Sequence, residues 1–170
     1  MHKVKSTYKV LGSRALQQDS AEDWIDWALE MMEAGFESEH LIILAGLSPS
    51  LNRFEFDDIV TKTLKELSLD RFSEDEKVNG YIYYFISEAL QGQISTKAVL
   101  QNCRKICQLR DYDDAFYPFY LLAYAQEELD EFGVQFYWQD ANSDNLDLII
   151  NTQFLEWIND YEIRFGSVTS

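Results

Sequence analysis

The chain has few of the residues that build loops and covalent frameworks. Two prolines and seven glycines in 170 residues argue against a turn-rich or all-β design, where such residues punctuate every few positions. Two cysteines, Cys103 and Cys107, are too few for a disulfide framework. Cations are scarce as well. Fourteen Lys and Arg stand against thirty Asp and Glu, a formal charge of −16. Bare nucleic acid is therefore a poor partner, because phosphate binding needs clustered Lys and Arg. Anionic membrane surfaces are disfavoured for the same reason. No apolar run approaches the length of about eighteen residues that marks a membrane-spanning helix. The N-terminal MHKVKSTYKVLGSRALQQ has no continuous apolar core of the kind a secretory signal carries. A cytoplasmic protein with no membrane partner is expected.

Aromatic and aliphatic residues are plentiful: 46% of the chain is hydrophobic and 15% aromatic. A disordered chain of this charge would have far fewer aromatics, and the length suits one domain. Residues 1–19 stand apart, with Lys3, Lys5, Lys9 and Arg14 against Asp19 alone. They are read as a basic N-terminal arm, partly ordered. Residues 20–165 are read as one all-helical domain, and 166–170 as a loose tail.

Start signals divide the domain. Ser20 with Asp23 resembles a capping box with Asp in place of Glu, and predicts a helix to about Ala34. Its apolar stripe holds Trp24, Ile25, Ala28, Leu29, Met31 and Met32, with Trp27 near the edge. Ser38 caps a second helix through LIILAGL, apolar all round and so expected to be buried. Asn52, Ser73 with Glu76, and Ser95 open three more. Gly80 is a weak point within the helix that Ser73 opens, costing about 1 kcal/mol relative to Ala; Tyr81, Tyr83 and Tyr84 make a strand the competing reading there. A sixth helix starts at Asp113 or Asp114, with Pro118 tolerable only in its first turn. Gly133–Asn142 is the one region of extended character. A last helix covers about Asp144 to Tyr161. The reading is an all-α single domain of six to seven helices, as a compact bundle or a short αα-stacked array. Trp24, Leu44, Leu64, Phe85, Ile106, Leu122 and Trp157 are expected in the core.

Catalytic chemistry finds little footing. Histidine is limited to His2 and His40, so no Ser-His-Asp arrangement is credible. GxSxG, the P-loop and GxGxxG are absent. Glu37 and His40 have the Glu-x-x-His spacing of carboxylate-bridged metal bundles, but a second copy is missing. Cys103 and Cys107 share a helix face, and two thiolates without a nearby His do not close a zinc site; they read as small core residues. No cofactor and no metal is expected.

One stretch combines two features. Residues 111–165 hold thirteen acidic residues against Arg164 alone, a local charge of −12. The same stretch is dense in aromatics, and Tyr112, Tyr117, Tyr120, Tyr124 and Tyr137 could form a binding ledge rather than core. Acidic groups steer a basic partner, and Tyr and Trp supply anchors. The candidate surface is Asp113, Asp114, Tyr117, Glu127, Glu128, Asp130, Glu131 and Trp138. In size and composition the chain resembles the general type of bacterial antitoxin or immunity proteins. That resemblance implies a non-catalytic inhibitor that plugs a cationic groove of a basic protein partner. A carboxylate-based enzyme or metal protein, and a helical scaffold that forms homo-oligomers, are the competing readings.

Overall fold

Eight helices and no strand form among residues 4–50 and 52–165, which the computed structural model describes. They are α1 (Ser6–Ala15), α2 (Ala21–Glu33), α3 (Glu39–Ala45), α4 (Arg53–Glu66), α5 (Glu74–Leu90), α6 (Thr96–Leu109), α7 (Tyr117–Phe132) and α8 (Leu146–Phe165). The tail at 166–170 lies outside the described residues. The chain divides into one unit within residues 1–84 and a second within 85–167.

In the first unit the start signals act as the sequence suggests. Ser20 Oγ accepts from the Asp23 amide at 3.1 Å and donates to the Asp23 carboxylate at 2.9 Å. Ser38 and Asn52 accept from the amides of Leu41 and Phe54. Ser73 and Glu76 form a reciprocal capping box, each side chain meeting the other's backbone N–H. These bonds satisfy amides that have no partner inside a helix. The core is built on Trp24, Trp27, Ala28, Met31, Leu41, Leu44, Phe56 and Val60. The Trp24 and Trp27 rings meet edge to face at 5.3 Å.

Residues 4–19 depart from the arm reading, and they supply the eighth helix. Val4, Tyr8, Val10 and Leu11 are buried, and Val4, Tyr8, Leu11 and Ala15 follow helical spacing. Trp27 Nε1 donates to Thr7 Oγ1 at 2.9 Å, so α1 supplies the polar partner that a buried indole needs. Two of the basic residues pair with nearby acids: Lys9 with Asp23 at 2.6 Å, and Arg14 with Asp57 at 3.2 Å. Helix α1 also lies against α5 through two glycines. A Cβ on Gly12 would fall 2.2 Å from the Tyr81 Cβ, and one on Gly80 would fall 2.7 Å from the Tyr8 ring. Gly80 is thus the place where a tyrosine packs onto bare backbone. The strand reading of Tyr81, Tyr83 and Tyr84 is not realised, since all three lie in α5.

The apolar run in α3 is only half buried: Leu41 and Leu44 are fully enclosed while Ile42 and Ile43 are exposed. A helix of seven residues on a surface presents one face inward, whatever the other carries. Trp27, expected at the edge of its stripe, is in the core. Leu29 and Met32, expected inside, are exposed.

The second unit is organised on α6 and α7, which pack along their lengths, with α8 beside α7. Leu100, Cys103, Ile106, Phe116, Phe119, Leu122, Ile150 and Phe154 are fully buried or nearly so. Phe119 meets Phe154 edge to face at 5.4 Å. Two residues expected in the core, Phe85 and Trp157, are only half buried; Ile82 and Ile86 occupy the enclosed positions of α5 instead. Ser95 precedes α6 without a side-chain cap bond. Helix α7 starts at Tyr117 rather than Asp113 or Asp114, which leaves Pro118 in the first turn. Gly133 ends it in the left-handed conformation at φ 72°.

A tyrosine ledge bordered by carboxylates as the candidate functional site

The face of α7 that looks away from the core carries Tyr117, Tyr120, Tyr124, Glu127, Glu128 and Glu131. At 3.6 residues per turn these six positions fall within roughly a third of the helix circumference. The buried residues Phe119, Leu122, Ala125 and Leu129 lie on the other side. Tyrosines occupy the first half of the stripe and carboxylates the second.

The five tyrosines singled out by sequence form one connected row. Tyr117 and Tyr120 stack at 5.6 Å with planes 12° apart. Tyr112, from the turn before α7, meets Tyr120 edge to face at 5.4 Å. Tyr120 meets Tyr124 at 5.0 Å, and Tyr124 stacks on Tyr137 at 5.0 Å. Tyr112, Tyr117 and Tyr137 remain exposed, at 50%, 41% and 39%, so the row is a surface. Partial burial, and then hydrogen bonding and repulsion from Tyr124 and Tyr112, push the Tyr120 phenol up to about 12. Tyr120, at the centre of the ledge, is therefore uncharged at physiological pH.

Tyr137 reaches the ledge because Gln135 shapes the 133–142 segment. Its Nε2 donates to the carbonyls of Trp138 and Ala141, and its Oε1 accepts from the amides of Tyr137 and Trp138. One side chain satisfies four backbone groups, and the segment is a closed loop rather than the extended stretch its composition suggests. The same loop presents Phe136, 90% exposed, and its Phe136 amide donates to Glu128 at 3.3 Å. Phe132, at the end of α7, is 64% exposed. Neither phenylalanine stands out in the sequence, where an aromatic near a helix end reads as core.

The predicted acids divide into two groups. Asp113 is paired with Arg110 at 2.9 Å, Glu127 with Arg104 at 2.6 Å, and Asp130 with Lys97 at 2.6 Å. Glu127 also accepts from Gln101. Lys97, Gln101 and Arg104 form an i, i+4, i+7 stripe on α6, so these pairs join α6 to α7. Asp114, Glu128 and Glu131 have no ion pair among the described residues. They, with the tyrosines, are the part of the predicted surface left to face a partner. Trp138 is half buried, and it is the neighbouring Tyr137 that stacks into the row.

The pairing sets a pH dependence. Lys97 holds the Asp130 carboxyl below its usual range. Burial opposes ionisation of Glu127 and Asp113, but Arg104 with Gln101, and the Ala115 amide with Arg110, outweigh it and lower both. A carboxylate lowered in the folded state stabilises it above the unfolded value, and that contribution fades as pH falls through the folded value. The urea midpoint is expected to decline between about pH 5 and pH 3. Glu127→Gln should make that decline shallower.

Two other groups have structural tasks. Glu66 accepts from the His40 amide at 3.0 Å and lies 2.5 Å from His40 Nδ1. With Glu39 they form a cluster of donor atoms, which Glu66 explains by closing the start of α3. Glu37, the partner in the Glu-x-x-His reading, is not part of it. Cys103 and Cys107 are buried free thiols, and burial pushes both thiols up, which suits core residues.

No protein-family model, no curated protein and no solved structure matches this chain. No helix among the described residues is long and apolar enough to cross a membrane.

Proposed function

We propose that this chain is a non-catalytic interaction module that binds a basic protein through the tyrosine ledge and the carboxylates beside it. The observation that carries the reading is the connected row of Tyr112, Tyr117, Tyr120, Tyr124 and Tyr137. Rings packed on each other and left at the surface, in a stretch of charge −12, supply contact area and the field to attract a cation-rich partner. An inhibitor of the immunity or antitoxin type would use such a face to fill a cationic groove. Buried free thiols suit a reducing compartment, and we place the protein in the cytoplasm.

The test starts from a partner captured with the wild-type chain from its native host. Reversing Asp114, Glu128 and Glu131 to Lys spares the ion pairs between α6 and α7. It should slow association by about tenfold or more at low salt, with a small change in dissociation. Tyr117→Ala should act mainly on the off-rate. A partner whose on-rate ignores both the reversal and the salt concentration would show that the acids only keep the surface solvated.

A further inference from the structure

The ledge displays, with its own residues, how it holds a cation. Arg104 Cζ lies 4.9 Å over the Tyr124 ring while its Nη1 donates to Glu127 at 2.6 Å. Arg110 repeats the arrangement: its Cζ lies 5.8 Å over the Phe116 ring and its Nε donates to Asp113 at 2.9 Å. In both, a guanidinium lies within about 6 Å of an aromatic ring centre while one of its nitrogens donates to a carboxylate. Lys97 meets Asp130 at 2.6 Å, and its ammonium is held by charge, with no ring contact among the described residues.

The same combination recurs where no cation among the described residues fills it. Tyr117 is 41% exposed and follows Asp114 by three residues across a turn closed by the Tyr117 amide on the Asp113 carbonyl. At the other end, Phe132 is 64% exposed and follows Glu128 by four residues on one helix face. Asp114 and Glu128 carry no ion pair among the described residues.

We propose that the ledge selects arginine rather than lysine in its partner, and that its occupant is an arginine-bearing protein segment. Guanidinium groups of that segment lie on the exposed rings at Tyr117 and Phe132 and pair with Asp114 and Glu128. The proposal rests on the basic-partner reading above and specifies its chemistry. The physical reason is hydration and shape. A guanidinium is planar and weakly hydrated, so it stacks on a ring and donates to a carboxylate at once. An ammonium is a strongly hydrated point charge that gains little from the ring. Charge alone does not distinguish the two.

Two fluorescein-labelled peptides of equal charge, ten arginines and ten lysines, test this by anisotropy titration at near-physiological salt. The wild-type chain is expected to bind the arginine peptide about tenfold more tightly. In Tyr117→Leu/Phe132→Leu the preference should fall to within about twofold, with lysine-peptide affinity kept. Tyr117→Phe, which keeps the ring, should retain the preference. Both replaced residues are exposed, and circular dichroism is to check that the variants fold. Equal affinity for the two peptides would overturn the arginine selectivity and leave the basic-partner reading standing. A preference that persists in the leucine variant would also overturn it, since the rings would not be its source. Binding of neither peptide would remove the basic-partner reading itself.

Discussion

A chain shortened to begin at Ser20 is expected to lose the cooperative fold of its first unit. Basic composition and a terminal position suggest that residues 1–19 can be removed without harm. The packing says otherwise. Val4, Tyr8, Val10 and Leu11 are buried, and burying a large apolar side chain contributes about 1.5–3 kcal/mol. Even discounted for a compact unfolded chain, four such residues amount to several kcal/mol. That is a large share of the roughly 5–15 kcal/mol that holds a typical domain together. The truncation also strips the Thr7 hydroxyl from the buried Trp27 indole, leaving a polar group with no partner. It removes the Tyr8 ring from bare backbone at Gly80. The expected result is a near-ultraviolet circular dichroism signal from Trp24 and Trp27 that is weak and melts without a sharp transition. Retention of the full-length melting curve would mean that α1 is dispensable.

Replacing Gly12 by alanine is expected to destabilise the protein, although alanine is the better helix former by about 1 kcal/mol. The new methyl would sit 2.2 Å from the Tyr81 Cβ and 2.8 Å from the Lys77 carbonyl oxygen. Neither can move without shifting the backbone of α5. Overpacking of this kind costs about 1–3 kcal/mol. With a contact as short as 2.2 Å placing the cost in the upper part of that range, the net loss is about 1–2 kcal/mol, which lowers the melting temperature by about 2–8 °C in a chain of this size. Gly80→Ala should lose less, because the atom it meets at 2.7 Å is on the Tyr8 ring, which can tilt. Gly46→Ala is the internal control. Its methyl finds nothing nearer than 3.6 Å, and its effect should stay within about 0.5 kcal/mol. A stabilised Gly12→Ala would show that α1 and α5 do not approach as described.

The contrast between Gly12 and Gly46 shows where sequence reasoning reaches and where it stops. Caps are local, so Ser20, Ser38, Asn52 and the Ser73–Glu76 pair could be read three residues at a time. The tyrosine row was legible for the same reason: Tyr117, Tyr120 and Tyr124 recur at helical spacing. Its tertiary neighbours were not. Nothing near Glu127 or Asp130 in sequence announces that Arg104 and Lys97 neutralise them, although the 97, 101, 104 stripe on α6 carried the signal. The role of Gly80 depends on Tyr8, 72 positions away, and a lone glycine in a helix reads as a weakness until its neighbour is known. Helix α1 was missed for a different reason. Val4, Tyr8, Leu11 and Ala15 have the right period, but charge and position outweighed it.

The measurement that bears most directly on the functional reading is where a cationic partner lands. The ten tyrosines are natural reporters, because Tyr8, Tyr81, Tyr83 and Tyr84 belong to the first unit and five others to the ledge. The first unit also offers acids, with Glu22, Asp26, Glu30 and Glu33 exposed on α2, so charge by itself does not choose the ledge. Tyrosine ring resonances from a ¹³C-labelled sample would be followed while the ten-arginine peptide is added. The account predicts that Tyr112, Tyr117, Tyr120, Tyr124 and Tyr137 shift together and that Tyr8, Tyr81, Tyr83 and Tyr84 stay in place. Shifts led by the first-unit tyrosines, or spread evenly over all ten, would contradict it.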